Sequence, residues 1–90
     1  MISFKLQIIT PDRVEFDEPV VSLIAPGEAG YFGVWANHAA LLSTLQEGKL
    51  TIRKTEEDAG TNYRIQGGFL EVHDNQVVVL VQEFEPIQAA

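Results

Sequence analysis

The sequence predicts an all-β fold: seven or more short strands in an antiparallel sandwich or barrel, forming a single domain over residues 1–90. Three observations carry the prediction. Apolar and polar residues alternate with a period of two along most of the chain. Clusters of Gly, Pro, Asn and Asp interrupt that alternation repeatedly. No stretch sustains a convincing helical period.

The elements follow in chain order. "SFKLQIIT" sets Phe4, Leu6 and Ile8 against Lys5 and Gln7, a half-buried strand that stops at Pro11-Asp12. "PVVSLIAP" (19–26) is β-branched and bracketed by prolines, which suit strand ends. "NHAALLSTL" fits either a short helix capped by Asn37, with Leu41, Leu42 and Leu45 on one side, or an irregular strand. Glu47-Gly48 marks a tight turn. "KLTIRK" (49–54) faces Leu50 and Ile52 one way, and "TNYRIQG" (61–67) repeats the pattern with Tyr63 and Ile65. Between them "EEDAG" (56–60) reads as a mobile charged loop. In "FLEVHDNQVVVLVQ" (69–82) two strand patterns flank Asp74-Asn75, both tolerant of the positive φ that a two-residue hairpin turn needs. Val77 to Val81 is apolar on both alternating faces, so this strand is expected to be central and covered on both sides. The tail "QEFEPIQAA" is polar and ends before any helix begins.

Composition narrows the function classes. Thirteen acids against six bases give a net charge of −7. That disfavours nucleic acid, whose phosphates need a basic footprint, and direct binding to anionic lipid. Without cysteine there are no disulfides and no thiolate metal sites. "MISFKLQIIT" does not resemble a signal peptide, and no apolar run approaches the length of a bilayer span. The chain reads as cytosolic, with any membrane association coming only through a partner.

No motif for catalysis emerges. Gly27, Gly30 and Gly33 space as G-x-x-G-x-x-G. This is neither the G-x-G-x-x-G of a dinucleotide loop nor a phosphate loop ending in Gly-Lys-Ser/Thr, and tight turns explain it. His38 and His73 lack a local two-histidine metal spacing, and His73 reads as solvated beside a turn. No serine is patterned next to a histidine for nucleophilic work. The acids Glu56, Glu57 and Asp58 lack the apolar cover that raises a catalytic pKa. The expectation is therefore no catalytic residue, no metal and no cofactor. Trp35, at the end of "GYFGVW", suits core or interface equally.

Four stretches together resemble the N-terminal β-sandwich domain of the F-type ATP synthase epsilon subunit, called delta in mitochondria. They are "LQIITPDRVEF" (6–16), "VVSLIAPGEAGYFGVWANHAALLSTLQEGKLTI" (20–52), "IQGGFLEVHDNQVVVLV" (65–81) and the tail. The resemblance covers nearly the whole chain, and it implies a two-sheet antiparallel β-sandwich of about ten short strands. It implies a non-catalytic rotor subunit of the central stalk that joins the gamma subunit to the membrane proteolipid ring and couples rotation to ATP synthesis, the catalytic sites lying on other subunits. It further implies a peripheral place on the cytoplasmic face of the bacterial plasma membrane. Tyr31, Asn37 and His38 fall where family members meet the ring; the gamma-contacting positions are left open. Position 31 is often polar or acidic in the family, so tyrosine implies either a more apolar contact or one shaped for a different ring loop. The family's inhibitory C-terminal helical hairpin has no counterpart before Ala90, which fits either a naturally short form or a chain cut at the domain boundary. Weak nucleotide binding at best is expected, because the family's ATP contacts depend on that hairpin. In isolation the chain is expected to be a monomer. The alternative is a free-standing β-sandwich that binds a small ligand, which would require a buried pocket with convergent polar groups. A hydrolase built on His38 would require a serine or carboxylate within hydrogen-bond reach.

Overall fold

The computed structural model describes residues 2–87, and they form strands and turns only. There are eight strands: β1 (Phe4–Ile9), β2 (Val14–Val20), β3 (Ser22–Gly27), β4 (Gly30–Trp35), β5 (Leu41–Leu45), β6 (Gly48–Arg53), β7 (Thr61–His73) and β8 (Gln76–Pro86). β7 and β8 are long enough to serve both layers. The first layer runs β2-β1-β8-β7-β5, using Gly68–His73 of β7 and Gln76–Val81 of β8. The second runs β4-β3-β6-β7-β8, using Thr61–Gln66 of β7 and Glu83–Pro86 of β8. Counting the two long strands once in each layer recovers the ten segments that the resemblance implies. All pairings are antiparallel except β1 with β8, which is parallel.

The bend that moves β7 between layers lies at Gly67-Gly68, where φ is +31° and +152°. A side chain at Gly68 would bring a Cβ to 1.8 Å from the Leu80 carbonyl oxygen of the neighbouring strand. Glycine is thus required both by the backbone conformation and by the close approach of β8. At the far end of the hairpin Asp74 and Asn75 take φ of 50° and 60°, the double positive φ of a two-residue turn, with His73 opposite Gln76.

The core lies between the layers and follows the period-two pattern. Phe4, Leu6 and Ile8 from β1 meet Leu23, Ala25, Val34, Leu50, Ile52 and Ile65 from the other layer, with Leu70, Val72, Val77, Val79 and Val81 beside them. Tyr63 and Phe84 stack at 4.4 Å between ring centres at the edge of this core.

Four expectations need correction. "PVVSLIAP" is two strands, because the chain passes from the first layer to the second between Val20 and Ser22. Residues 37–45 contain no helix: Asn37 is a left-handed turn residue with φ of 63°, and β5 pairs with β7. The 54–60 loop is tied down, with the Asp58 carboxylate accepting from Lys54 N and Gly60 N at 2.8 Å each. Arg53 donates to the carbonyls of Asp58 (2.9 Å) and Glu56 (2.8 Å) in the same loop. Finally, β8 is central but covered on one face only: Val77, Val79 and Val81 are buried, while Leu80 is 47% exposed.

Candidate interaction surfaces

The outer face of the first layer carries an apolar row that crosses three strands and ends at a threonine on the fourth. Ile9 neighbours Leu80, Leu80 neighbours Phe69, and Phe69 neighbours Thr44. In the adjacent row Val78 pairs with Glu71 and Glu71 with Leu42. Phe69 is 50% exposed and Leu42 70% exposed, large values for residues in the middle of regular strands. An open groove beside this row is lined by Ile9, Thr10, Pro11, Gly68, Phe69 and Leu80. Sequence reasoning missed these residues. The signal was present in the doubly apolar run Val77–Val81, but period alone does not distinguish a face covered by its own chain from one left open.

The outer face of the second layer holds Tyr31 and Trp35, both on β4 and both exposed. Tyr31 reaches across Pro26 to β6, where its hydroxyl accepts from Lys49 N at 3.1 Å. The Trp35 ring lies over Gly33, two residues earlier on the same face, and a Cβ at Gly33 would sit 2.4 Å from the ring. Trp35 is therefore a surface residue and no part of the core.

Asn37 and His38 sit at the opposite end of β4 from Tyr31. Four strand steps from Tyr31 to Trp35, at about 3.3 Å each, put roughly 13 Å of strand between Tyr31 and the turn that holds Asn37 and His38. The structure thus does not gather Tyr31, Asn37 and His38 into one patch. Asn37 belongs to a junction held by Asn75: Asn37 N donates to Asn75 Oδ1 at 2.7 Å, and Asn75 Nδ2 donates to the Ser3 carbonyl at 3.0 Å. Lys5 N donates to the Asn75 carbonyl at 3.3 Å. One side chain and its own backbone thereby join the β7–β8 turn, the start of β1 and the β4–β5 connection.

His38 Nδ1 donates to the Ala39 carbonyl at 2.8 Å, which fixes the ring locally. That bond brings it no nucleophile or carboxylate. His73 is exposed and lies 3.3 Å from Asp74. Among the described residues no cluster of three His, Cys, Asp or Glu could hold a metal ion, and no buried side-chain polar atom lacks a partner. Lys54 N and Gly60 N donate to the Asp58 carboxylate, favour its charged form and hold its pKa below the ordinary value of 3.8. That serves the loop's structure.

The described residues thus form a two-layer sandwich that exposes aromatic and aliphatic side chains on both outer faces. The chain belongs to the ATP synthase delta/epsilon chain β-sandwich domain family, whose model matches residues 3–87. It is 44% identical over 85 residues to the ATP synthase epsilon chain of Moorella thermoacetica, covering 94% of this chain and 63% of that protein. With the ATP synthase epsilon chain of Chlorobium limicola it shares 37% identity over 81 residues, covering 90% of this chain and 91% of the relative. Among solved structures, a chain in the OSCP/F1/c-ring assembly of Euglena gracilis mitochondrial ATP synthase superposes with a TM-score of 0.87 at 27% identity. That match covers 96% of this chain and 54% of the Euglena chain. The chain therefore spans less than two thirds of the length of several relatives it matches.

Proposed function

We propose that this domain is a non-catalytic rotor component of an F-type ATP synthase, joining the gamma subunit to the proteolipid ring and held at the cytoplasmic face of the membrane through those partners. Family membership supports the assignment, as does the likeness to a chain of an F1/c-ring assembly. The observation that carries it is the apolar row Ile9–Leu80–Phe69 on an otherwise acidic protein. An open row of large apolar side chains on a regular sheet is the form a lasting protein contact takes.

The row is assigned to the gamma subunit. Tyr31 at one end of β4, and Asn37 with His38 at the other, are candidates for ring contact, and a subunit that bridges two partners needs separated surfaces. The test is co-purification with the gamma subunit encoded beside it, using Phe69→Glu and Leu80→Glu. Both variants should fold and both should lose the complex. Folded variants that still bind gamma at wild-type strength would remove the row from the interface. Tyr31→Ala and His38→Ala, measured in a reconstituted enzyme, assign the ring end by which of them lowers proton-driven ATP synthesis.

A further inference from the structure

Four strand segments have a free edge: β2, β5, β4 and residues 83–86 of β8. A free edge exposes unpaired N–H and C=O groups, and soluble proteins guard such rows with charge or proline. β2 carries Glu15, Asp17, Glu18 and Pro19; the end of β8 carries Glu83, Glu85 and Pro86. These two guarded edges lie on one side of the sandwich. β4, on the other side, has the sequence GYFGVW, with no charge and no proline, and it pairs with β3 in unbroken register.

The direction of its backbone groups follows from Pro26. The Pro26 carbonyl accepts from Gln46 N at 2.8 Å, on the side away from β4, so its polar group faces away from that strand. Tyr31 lies opposite Pro26 in an antiparallel ladder and therefore turns its own N–H and C=O to the free side, as do Gly33 and Trp35. Beyond one end of this row lies Glu28. Its carboxylate accepts from Thr44 Oγ1 at 2.7 Å and has no ion-pair partner among the described residues.

We infer that β4 is a docking edge for an extended strand of a partner protein, uncharged through its middle and carrying a basic residue that meets Glu28. Main-chain hydrogen bonds to Tyr31, Gly33 and Trp35 supply the pairing, and the basic residue sets its direction and register. A second copy of this chain fits the edge poorly. It carries a net charge of −7 and has no Lys or Arg between Glu28 and Gly48 to meet Glu28. The inference rests on the edge itself and stands apart from the assignment of the apolar row to gamma.

The test uses the ¹⁵N-labelled chain and a blocked hexapeptide, Lys-Val-Thr-Val-Thr-Val, beside its analogue with Glu in place of Lys. The lysine peptide should shift the amides of Tyr31, Gly33 and Trp35 saturably and slow their hydrogen exchange at least tenfold. Half-saturation should rise severalfold in Glu28→Gln, and the shifts should vanish in Trp35→Lys, which places a guarding charge on the edge. If Trp35→Lys does not fold, the exchange pattern and the charge-reversed peptide still decide. Absence of saturable shifts, shifts centred on β2 or β5, or equal binding of the glutamate analogue would overturn the inference. So would sedimentation showing a dimer with these three amides already protected, since a second copy would then occupy the edge.

Discussion

Gly68 combines a left-handed φ with a neighbouring carbonyl that leaves no room for a methyl group. Gly68→Ala is therefore expected to cost about 3 kcal/mol or more, read by chemical unfolding, because strain and a backbone clash add at one site. Asn75→Ala should cost about 1–3 kcal/mol, since it strands the Asn37 amide and the Ser3 carbonyl at the junction they share. Asn75→Gly removes the same two bonds but relieves the positive φ, so it should be the milder of the two. Val79, fully buried, should lose about 1–3 kcal/mol as alanine, while Tyr31→Ala and His38→Ala should stay within about 1 kcal/mol of the parent. Thermal unfolding of the three side by side checks the contrast. Most of these roles were legible in the sequence: Asp74-Asn75 announced the turn, and alternation placed Val79 in the core. The Asn75 junction was not, because its partners lie far away in the chain and only the folded topology brings them together.

At the scale of elements, the 54–60 loop shows how a charged run becomes structure. Hydrogen bonds from Lys54 and Gly60 lower the Asp58 pKa, so its stabilising contribution is complete above the ordinary value of 3.8 and is lost as pH falls through the lowered one. The protection of the Lys54 and Gly60 amides, taken relative to their intrinsic exchange rates at each pH, should fall on acidification below about pH 4. Asp58→Asn, which lacks the charge, should flatten that dependence. A charge run without apolar cover reads from sequence as a free loop, and what it conceals is a carboxylate spaced to cap two backbone amides. The outer row of the first layer was hidden differently. The run Val77–Val81 reads as a strand buried on both faces, and only the absence of a covering layer among the described residues leaves Leu80, with Phe69 beside it, open.

Across the whole molecule, the sandwich has one acid-guarded side, where β2 faces the end of β8, and one uncharged side at β4 and β5. Guarding part of the surface directs association to the rest. The fold class was legible because period two and turn chemistry agree along nearly the entire chain. The allocation of its faces was not, because it depends on which strands end up at edges. The parallel pairing of β1 with β8 has a consequence of another kind. During synthesis the first strand leaves the ribosome with Phe4, Leu6 and Ile8 in need of a neighbour made 71 residues later, Lys5 pairing with Gln76. The opening hairpin must wait, half its apolar face wet, until residues 76–81 emerge. Its closure is a long-range event of the type that makes β-sandwiches fold in milliseconds to seconds. A nascent chain halted at Asp74 should accordingly remain protease-sensitive throughout, whereas one carried past Pro86 and clear of the exit tunnel should become resistant in a single step.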